Sequence, residues 1–259
     1  MSTEHRPHSR VKRASKNPVW PCVELPVTSY GHALGLQHRV VAAKNRGMLE
    51  PDLLFILEHP PTFTLGRRGG RQNLIVPDAA IERSGIRILK TERGGDITYH
   101  GPGQVVAYPI VDLSAARLGV ADYVDHLEEV MIRTARAFGV AAKRSPLNRG
   151  VWVGKAKLGS VGIALRHNVS FHGFALNVNL SLAPFEWINP CGLPGIAMTS
   201  LERERSHPIS AAEAREAVKR NFESVFDIEL TPARMEDLPV SHPGLERTNE
   251  HDPSALAAC

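Results

Sequence analysis

Residues 172–180 read HGFALNVNL, and their alternation decides the fold. Phe174, Leu176, Val178 and Leu180 fall on one side of an extended strand, and Gly173, Ala175, Asn177 and Asn179 on the other. A side made of Gly, Ala and Asn leaves open space beside polar groups. It reads either as a solvent-facing side of a sheet or as the wall of a groove against which a ligand lies. Outward from this strand, further strand patterns come in runs: DLLFILEH (52–59), TFTLG (62–66), IRILK (86–90), QVVAYPIVDL (104–113) and GVWVG (150–154). Helical spacing runs from Val120 through Val124, Leu127, Met131, Ala135 and Phe138. A second helix starts at a Ser210/Glu213 capping box and continues through Ala214, Ala217, Val218, Phe222 and Val225. A weaker helix spans 30–46, where Gly31 and Gly35 count against it. Strands in runs with only occasional helices describe an α+β fold, not a regular βαβ wind.

The chain has 259 residues, 42% of them hydrophobic, and is long enough to bury a core without a disulfide or metal staple. One domain is expected over 19–239, between polar, proline-containing ends at 1–18 and 240–259 that read as disordered. The formal charge of +4 resides in the N-terminal end, where Arg6, Arg10, Lys12, Arg13 and Lys16 face only Glu4. A nucleic-acid footprint needs its cations gathered on a folded face, so no nucleic-acid partner is expected. Cys22, Cys191 and Cys259 are an odd set without CxxC spacing, which argues against a disulfide framework and a structural zinc site. No stretch approaches 18 apolar residues, and no apolar segment follows the basic start. No membrane partner is expected, and the expected location is cytoplasmic.

Several chemistries are excluded by missing motifs. There is no GxxxxGK[ST] loop and no HExxH, and Gly101-Pro-Gly103 lacks the third glycine of a dinucleotide fingerprint. The twelve histidines are scattered, and His167 and His172, at odd spacing, fall on opposite faces of a strand, so no metal site is expected. What remains is one unusual loop, one cysteine and two lysines. The loop RGGDITYHGPGQ (93–104) carries four glycines that let a ligand approach the main chain, beside Arg93, Thr98, Tyr99 and His100. Cys191 lies in NPCG (189–192), where proline and glycine set a bend that displays the thiol. A free thiol is mostly protonated at neutral pH, so a nucleophilic role requires a neighbouring cation or base. Lys155 and Lys157 are the candidates, and strand parity puts both on the same side. The residues alone thus support Cys/Lys acyl transfer without choosing the lysine.

RGGDITYHGPGQ (93–104), KLGSVG (157–162), SFHGFALNVN (170–179) and NPCG (189–192), in this order, resemble the lipoyl(octanoyl) transferases. The resemblance covers about residues 20 to 230. It implies a mixed β-sheet packed with helices, as in biotin/lipoate protein ligase-like catalytic domains. It implies transfer of an octanoyl group from octanoyl-acyl carrier protein, whose phosphopantetheine arm carries the thioester, with no cofactor on the enzyme. The implied acceptors are lysines on lipoyl domains of 2-oxoacid dehydrogenase complexes and on the glycine-cleavage H protein. By the same mapping Cys191 is the acyl-thioester cysteine and Lys157 the catalytic lysine. Substrate contacts fall on Arg93, Gly94, Gly95, Asp96, Ile97, Thr98, Tyr99 and His100, on Ser160, Val161 and Gly162, and on Gly173, Phe174 and Ala175. Leu158-Gly159 departs from the family, where a β-branched residue more often follows the lysine.

Two other readings compete. An ATP-dependent lipoate or biotin ligase of the same fold would use RRGGRQN (67–73) to handle phosphate and leave Cys191 idle. A non-catalytic lipoyl-domain binding module would bind its partner without transferring any acyl group.

Overall fold

The computed structural model describes residues 17–240. Apart from residues 17, 18 and 240, the two ends expected to be disordered lie outside the described residues. The strands are β1 (Val19–Val27), β2 (Leu53–Glu58), β3 (Thr62–Leu65), β4 (Arg87–Lys90), β5 (Ile97–His100), β6 (Gln104–Asp112), β7 (Lys143–Arg144), β8 (Val151–Val153), β9 (Ala156–Arg166), β10 (Val169–Asn177) and β11 (Glu229–Pro232). The helices are α1 (Tyr30–Asn45), α2 (Asp78–Ser84), α3 (Val120–Ala137), α4 (Leu201–Arg205) and α5 (Ala211–Phe226). Eight strands form one sheet in the order β11-β1-β2-β6-β10-β9-β8-β7, and β4-β3-β5 form a second. Both sheets are mixed: β1 runs parallel to β2 and β11, and β3 parallel to β4, while the remaining pairs are antiparallel. The α+β class holds.

The large sheet is covered on both faces, which is why β2 reads LLFILE without a polar break until its last residue. Leu54 and Ile56, with Val105, Ala107, Phe174 and Leu176, meet α3 and α5. Leu53, Phe55 and Leu57, with Val106, Tyr108 and Ile110, meet α1. Helix α1 forms although it contains two glycines, because Gly31 and Gly35 face solvent while Tyr30, Ala33, Leu36 and Val40 pack on the sheet. In α5 the capping box is made as expected, Glu213 N–H donating to Ser210 Oγ at 3.1 Å and Ser210 N–H to Glu213 Oε2 at 3.0 Å.

Several elements differ from the sequence reading. The strand expected over 172–180 runs from Val169 to Asn177 instead, and Gly173, Ala175 and Asn177 on its Gly/Ala/Asn side are buried, while Asn179 beyond its end is exposed. Ala175 packs under α1, and buried Asn177 donates to the Thr199 carbonyl (2.9 Å) and accepts from Gln104 Nε2 (2.9 Å). The 93–104 loop holds a four-residue strand, β5, which pairs with β3 and adds Ile97 and Tyr99 to a third core with Phe63 and Phe185. Strand β1 and the long strand β9 carry no clean alternation. Pro21 and Pro26 interrupt the first, and Gly159 and Gly162 the second.

Leu127 is fully buried between α3 and the sheet. Leu127→Ala is expected to lower unfolding free energy by about 2–5 kcal/mol, and the exposed capping change Ser210→Ala by about 1 kcal/mol, both measured by urea denaturation.

Candidate active site

Residues Pro190–Gly192 make a single tight turn in which Cys191 takes a left-handed backbone conformation, φ 61° and ψ 17°. Asn189 is extended before the proline, as Pro190 requires, and its N–H donates to the Asn73 carbonyl at 2.8 Å. The turn closes with Gly192 N–H on Asn189 O (2.9 Å) and Leu193 N–H on Pro190 O (3.1 Å). The thiol is thus held half-buried at the head of the turn.

Lys157 arrives from β9. Its N–H donates to Ala197 O (2.8 Å), and its carbonyl accepts from Thr199 N–H (2.9 Å). This short ladder ties β9 to the chain just beyond Cys191 and brings together two side chains 34 positions apart. The Lys157 Nζ lies 3.1 Å from Cys191 Sγ, 2.7 Å from Asn148 Oδ1 and 2.8 Å from the Arg149 carbonyl. Its side chain is 1% exposed, passes 5.4 Å from the Trp152 ring centre, and has no carboxylate partner among the described residues. Lys155 does not share its side: the β8–β9 hairpin turns at Gly154-Lys155, which leaves Lys155 in solvent.

Beside Cys191 opens a cavity of about 500 Å³. Arg93, Gly94, Gly95, Asp96, Ile97, Thr98 and His100 line it from the small sheet, Ser160, Val161 and Gly162 from β9, and Gly173, Phe174 and Ala175 from β10. Tyr99 does not line it. β5 alternates, so Thr98 and His100 face the cavity while the Tyr99 ring turns into the third core against Phe63 and Phe185. The small sheet lies directly on β9, Gly94 N–H donating to Ile163 O at 2.8 Å. A side chain at Gly162 would stand 3.1 Å from the Gly94 carbonyl, tight enough that this close approach favours glycine.

Sequence reasoning missed part of the lining. Val120, Ala121 and Val124 of α3, with Val161, Ile163 and Phe174, supply an apolar wall suited to an alkyl chain. The helical stripe read from Val120 contained two of these residues but read as core. Tyr30, Tyr108 and His172 add a polar wall. There the Tyr30 hydroxyl meets His172 Nδ1 (3.3 Å), and the Tyr108 hydroxyl meets His59 Nε2 (2.8 Å). Burial pushes the His59 imidazolium down to about pKa 4, and burial with the nearby Arg93 charge takes His172 to about 3. Burial likewise holds His100 well below the ordinary value and raises the Tyr30 and Tyr108 phenols. Arg93 is itself buried, with its guanidinium on Thr64 O (2.6 Å), Thr64 Oγ1 (2.9 Å) and Gly94 O (3.0 Å) and, among the described residues, on no carboxylate. It is therefore a fixed positive charge among neutral rings.

The 67–73 stretch braces this site. Arg67 N–H and Arg68 N–H donate to the Arg93 and Gly95 carbonyls (2.9 and 3.1 Å), and Asn73 Nδ2 donates to Asp96 Oδ1 (3.0 Å). Among the described residues, no three His, Cys, Asp or Glu side chains converge in a way that could hold a metal ion. No described helix is long and apolar enough to cross a membrane.

A sequence model of the lipoyl protein ligase A/B catalytic domain matches residues 29–223. The octanoyltransferase of Desulfotalea psychrophila is 50% identical over 208 residues, covering 80% of this chain and 92% of that protein. That of Solibacter usitatus is 43% identical over 205 residues, covering 78% and 91%. Among solved structures, the bi-partite lipoate protein ligase of Thermoplasma acidophilum superimposes with a TM-score of 0.67 at 15% identity, covering 86% of this chain and 91% of that one. A lipoate-protein ligase A bound with ATP gives 0.67 at 16%, covering 87% and 93%. Both structural likenesses speak to the fold alone.

Two outcomes follow from burial. Cys22 is buried, and desolvation together with Glu24 pushes its thiol up to about pKa 12. At pH 8 iodoacetamide is expected to label Cys191 and spare Cys22 until the chain unfolds, as read by peptide mass spectrometry. His59 and His172 stay neutral in the fold but take up protons when unfolded below about pH 6.5, so the unfolded state binds more protons there. Urea midpoints are expected to fall as pH drops from 6.5 towards 4, and His172→Phe is expected to flatten that fall.

Proposed function

The chain belongs to the lipoyl protein ligase A/B catalytic-domain family, and we propose that it is an octanoyltransferase that works through a thioester on Cys191 with Lys157 as its acid and base. The observation that carries this reading is the 3.1 Å approach of a buried lysine nitrogen to the half-buried Cys191 thiol at the cavity. At that distance the lysine nitrogen can exchange a proton directly with the thiol, and the thiolate is the nucleophilic form of cysteine.

In the first half-reaction the Cys191 sulfur attacks the carbonyl carbon of octanoyl-acyl carrier protein. The carbon–sulfur bond to the phosphopantetheine arm breaks, and Lys157 returns a proton to the departing sulfur. The bond lost and the bond formed are both thioesters, so no nucleotide enters the scheme. In the second half-reaction a neutral lysine amine of a lipoyl domain attacks the enzyme thioester. Lys157, now an amine, takes the proton that the nitrogen sheds, and Cys191 leaves as thiolate. The acceptors proposed are lipoyl domains of 2-oxoacid dehydrogenase complexes and the glycine-cleavage H protein. The octanoyl chain lies along the α3 wall, while Arg93 to His100, except the Tyr99 ring, Ser160 to Gly162 and Gly173 to Ala175 enclose it.

The ATP-dependent ligase reading draws on the shared fold, but it assigns no work to Cys191 or to its contact with Lys157. The two readings separate on intact mass after incubation with octanoyl-acyl carrier protein and no nucleotide. The wild type is expected to gain one octanoyl group, lost on adding hydroxylamine. Cys191→Ser is expected to carry no such thioester, and Lys157→Ala to lose at least about a hundredfold in transfer rate. Activity that requires ATP and survives in Cys191→Ser would establish the ligase instead. Binding of a lipoyl domain with no transfer from any donor would leave only the binding module.

A further inference from the structure

Lys157 Nζ has three partners, and only one of them is the reacting sulfur. Asn148 Oδ1 (2.7 Å) and the Arg149 carbonyl (2.8 Å) are fixed acceptors, and each claims one N–H. As an ammonium, Lys157 then has its third N–H left for Cys191 Sγ. As an amine, it has its lone pair left for the same atom. Either proton state therefore points at the sulfur along one axis, and the proton crosses between nitrogen and sulfur without the lysine rotating.

The acceptors need an anchor, because Asn148 and Arg149 sit in an irregular loop between β7 and β8. That anchor is Glu128, on the buried side of α3 and 1% exposed. Its Oε1 accepts the Gly150 N–H at 2.7 Å, directly beyond the Arg149 carbonyl. Gly150 takes φ 114°, and a side chain there would run into the Gly159 carbonyl and stand 2.8 Å from Lys157 Cε. The loop thus passes as close to the lysine stem as backbone can. The other Glu128 oxygen meets Arg144 (3.2 Å) and Arg149 (3.1 Å), whose guanidinium groups also reach Glu129 and Asp125 and are about half exposed. The further charged groups lining the cavity beside Cys191 are Asp96, close to Gly192, with Arg68 and Arg93.

We propose that Asn148 and Glu128 are positioning residues for the acyl-transfer pair: Asn148 fixes one N–H of Lys157 directly, and Glu128 fixes a second by holding the Arg149–Gly150 peptide from α3. The proposal rests on the octanoyltransferase reading. Its test includes a measurement that needs no acyl donor, so the two fail separately.

Site-resolved iodoacetamide alkylation of Cys191 across pH, with kcat and KM for octanoyl transfer and the thermal midpoint, is to be compared in wild type, Asn148→Ala, Glu128→Ala and Glu128→Gln. In Asn148→Ala and Glu128→Ala the alkylation profile of Cys191 is expected to move to higher pH. In both, kcat should fall roughly ten- to a hundredfold with KM for the donor little changed, the mark of a lost charge-assisted hydrogen bond felt in the reaction step. Glu128→Gln is expected to rescue most of the Glu128→Ala loss, because an amide oxygen still accepts from Gly150 while both arginines retain their second carboxylates. Asn148→Ala with a wild-type alkylation profile and kcat would overturn the proposal, as would Glu128→Gln being as impaired as Glu128→Ala. If Glu128→Ala does not fold, Asn148→Ala, at a half-buried loop position, decides alone. Wild type that alkylates at Cys191 as expected yet transfers no octanoyl group would sink the functional reading and leave this geometry standing.

Discussion

A lysine nitrogen taken out of water without a carboxylate to meet it is the constraint around which this protein is arranged. Removing an ammonium from solvent is costly unless every proton on it finds an acceptor. Here two oxygens and one sulfur complete the set for Lys157. A carboxylate in place of Asn148 would hold the charge more tightly, but it would also compete with the sulfur and resist the return of the proton. Neutral oxygens satisfy the nitrogen and leave its remaining position directed at Cys191. That direction is what the acid and base role proposed for Lys157 requires.

The fold delivers this arrangement by joining elements distant in the chain. Strand β9 brings the lysine, the strand-like stretch 197–199 carries the far side of the cysteine turn, and α3 stands behind the loop that supplies the two oxygens. The small sheet then closes over β9 through Gly94 and Gly162 and completes the cavity. The buried Arg93 next to it is satisfied by neutral oxygens as well. Its charge adds to burial in keeping His100 and His172 unprotonated.

Much of this could be read from the sequence, and the gaps have physical causes. Helices α3 and α5 were legible because apolar spacing and a capping box are local signals. The α+β class followed from strands occurring in runs. Strand β9 was not legible, because a strand that lies against a cavity replaces bulky residues with Gly159, Ser160 and Gly162 and so loses its alternation. Parity could not choose between Lys155 and Lys157, because it assumes a continuous strand where the chain in fact turns at Gly154. The resemblance picked out Lys157, and the geometry sets that residue against the thiol. Asn148 and Glu128 carried no signal of their own: one lies in an irregular loop, and the other is one of four acids on α3, whose neighbours are known only once the chain has folded.

Glu58 offers one more lesson. Its carboxylate ends β2, receives the Gly103 N–H at 2.7 Å, and holds Arg215 of α5 at 2.9 Å. The turn that carries β5 into β6 is therefore strapped to α5, more than a hundred residues downstream. A chain emerging from the ribosome would lack that strap until α5 had been made, and the turn would until then be held from β5 and β6 alone.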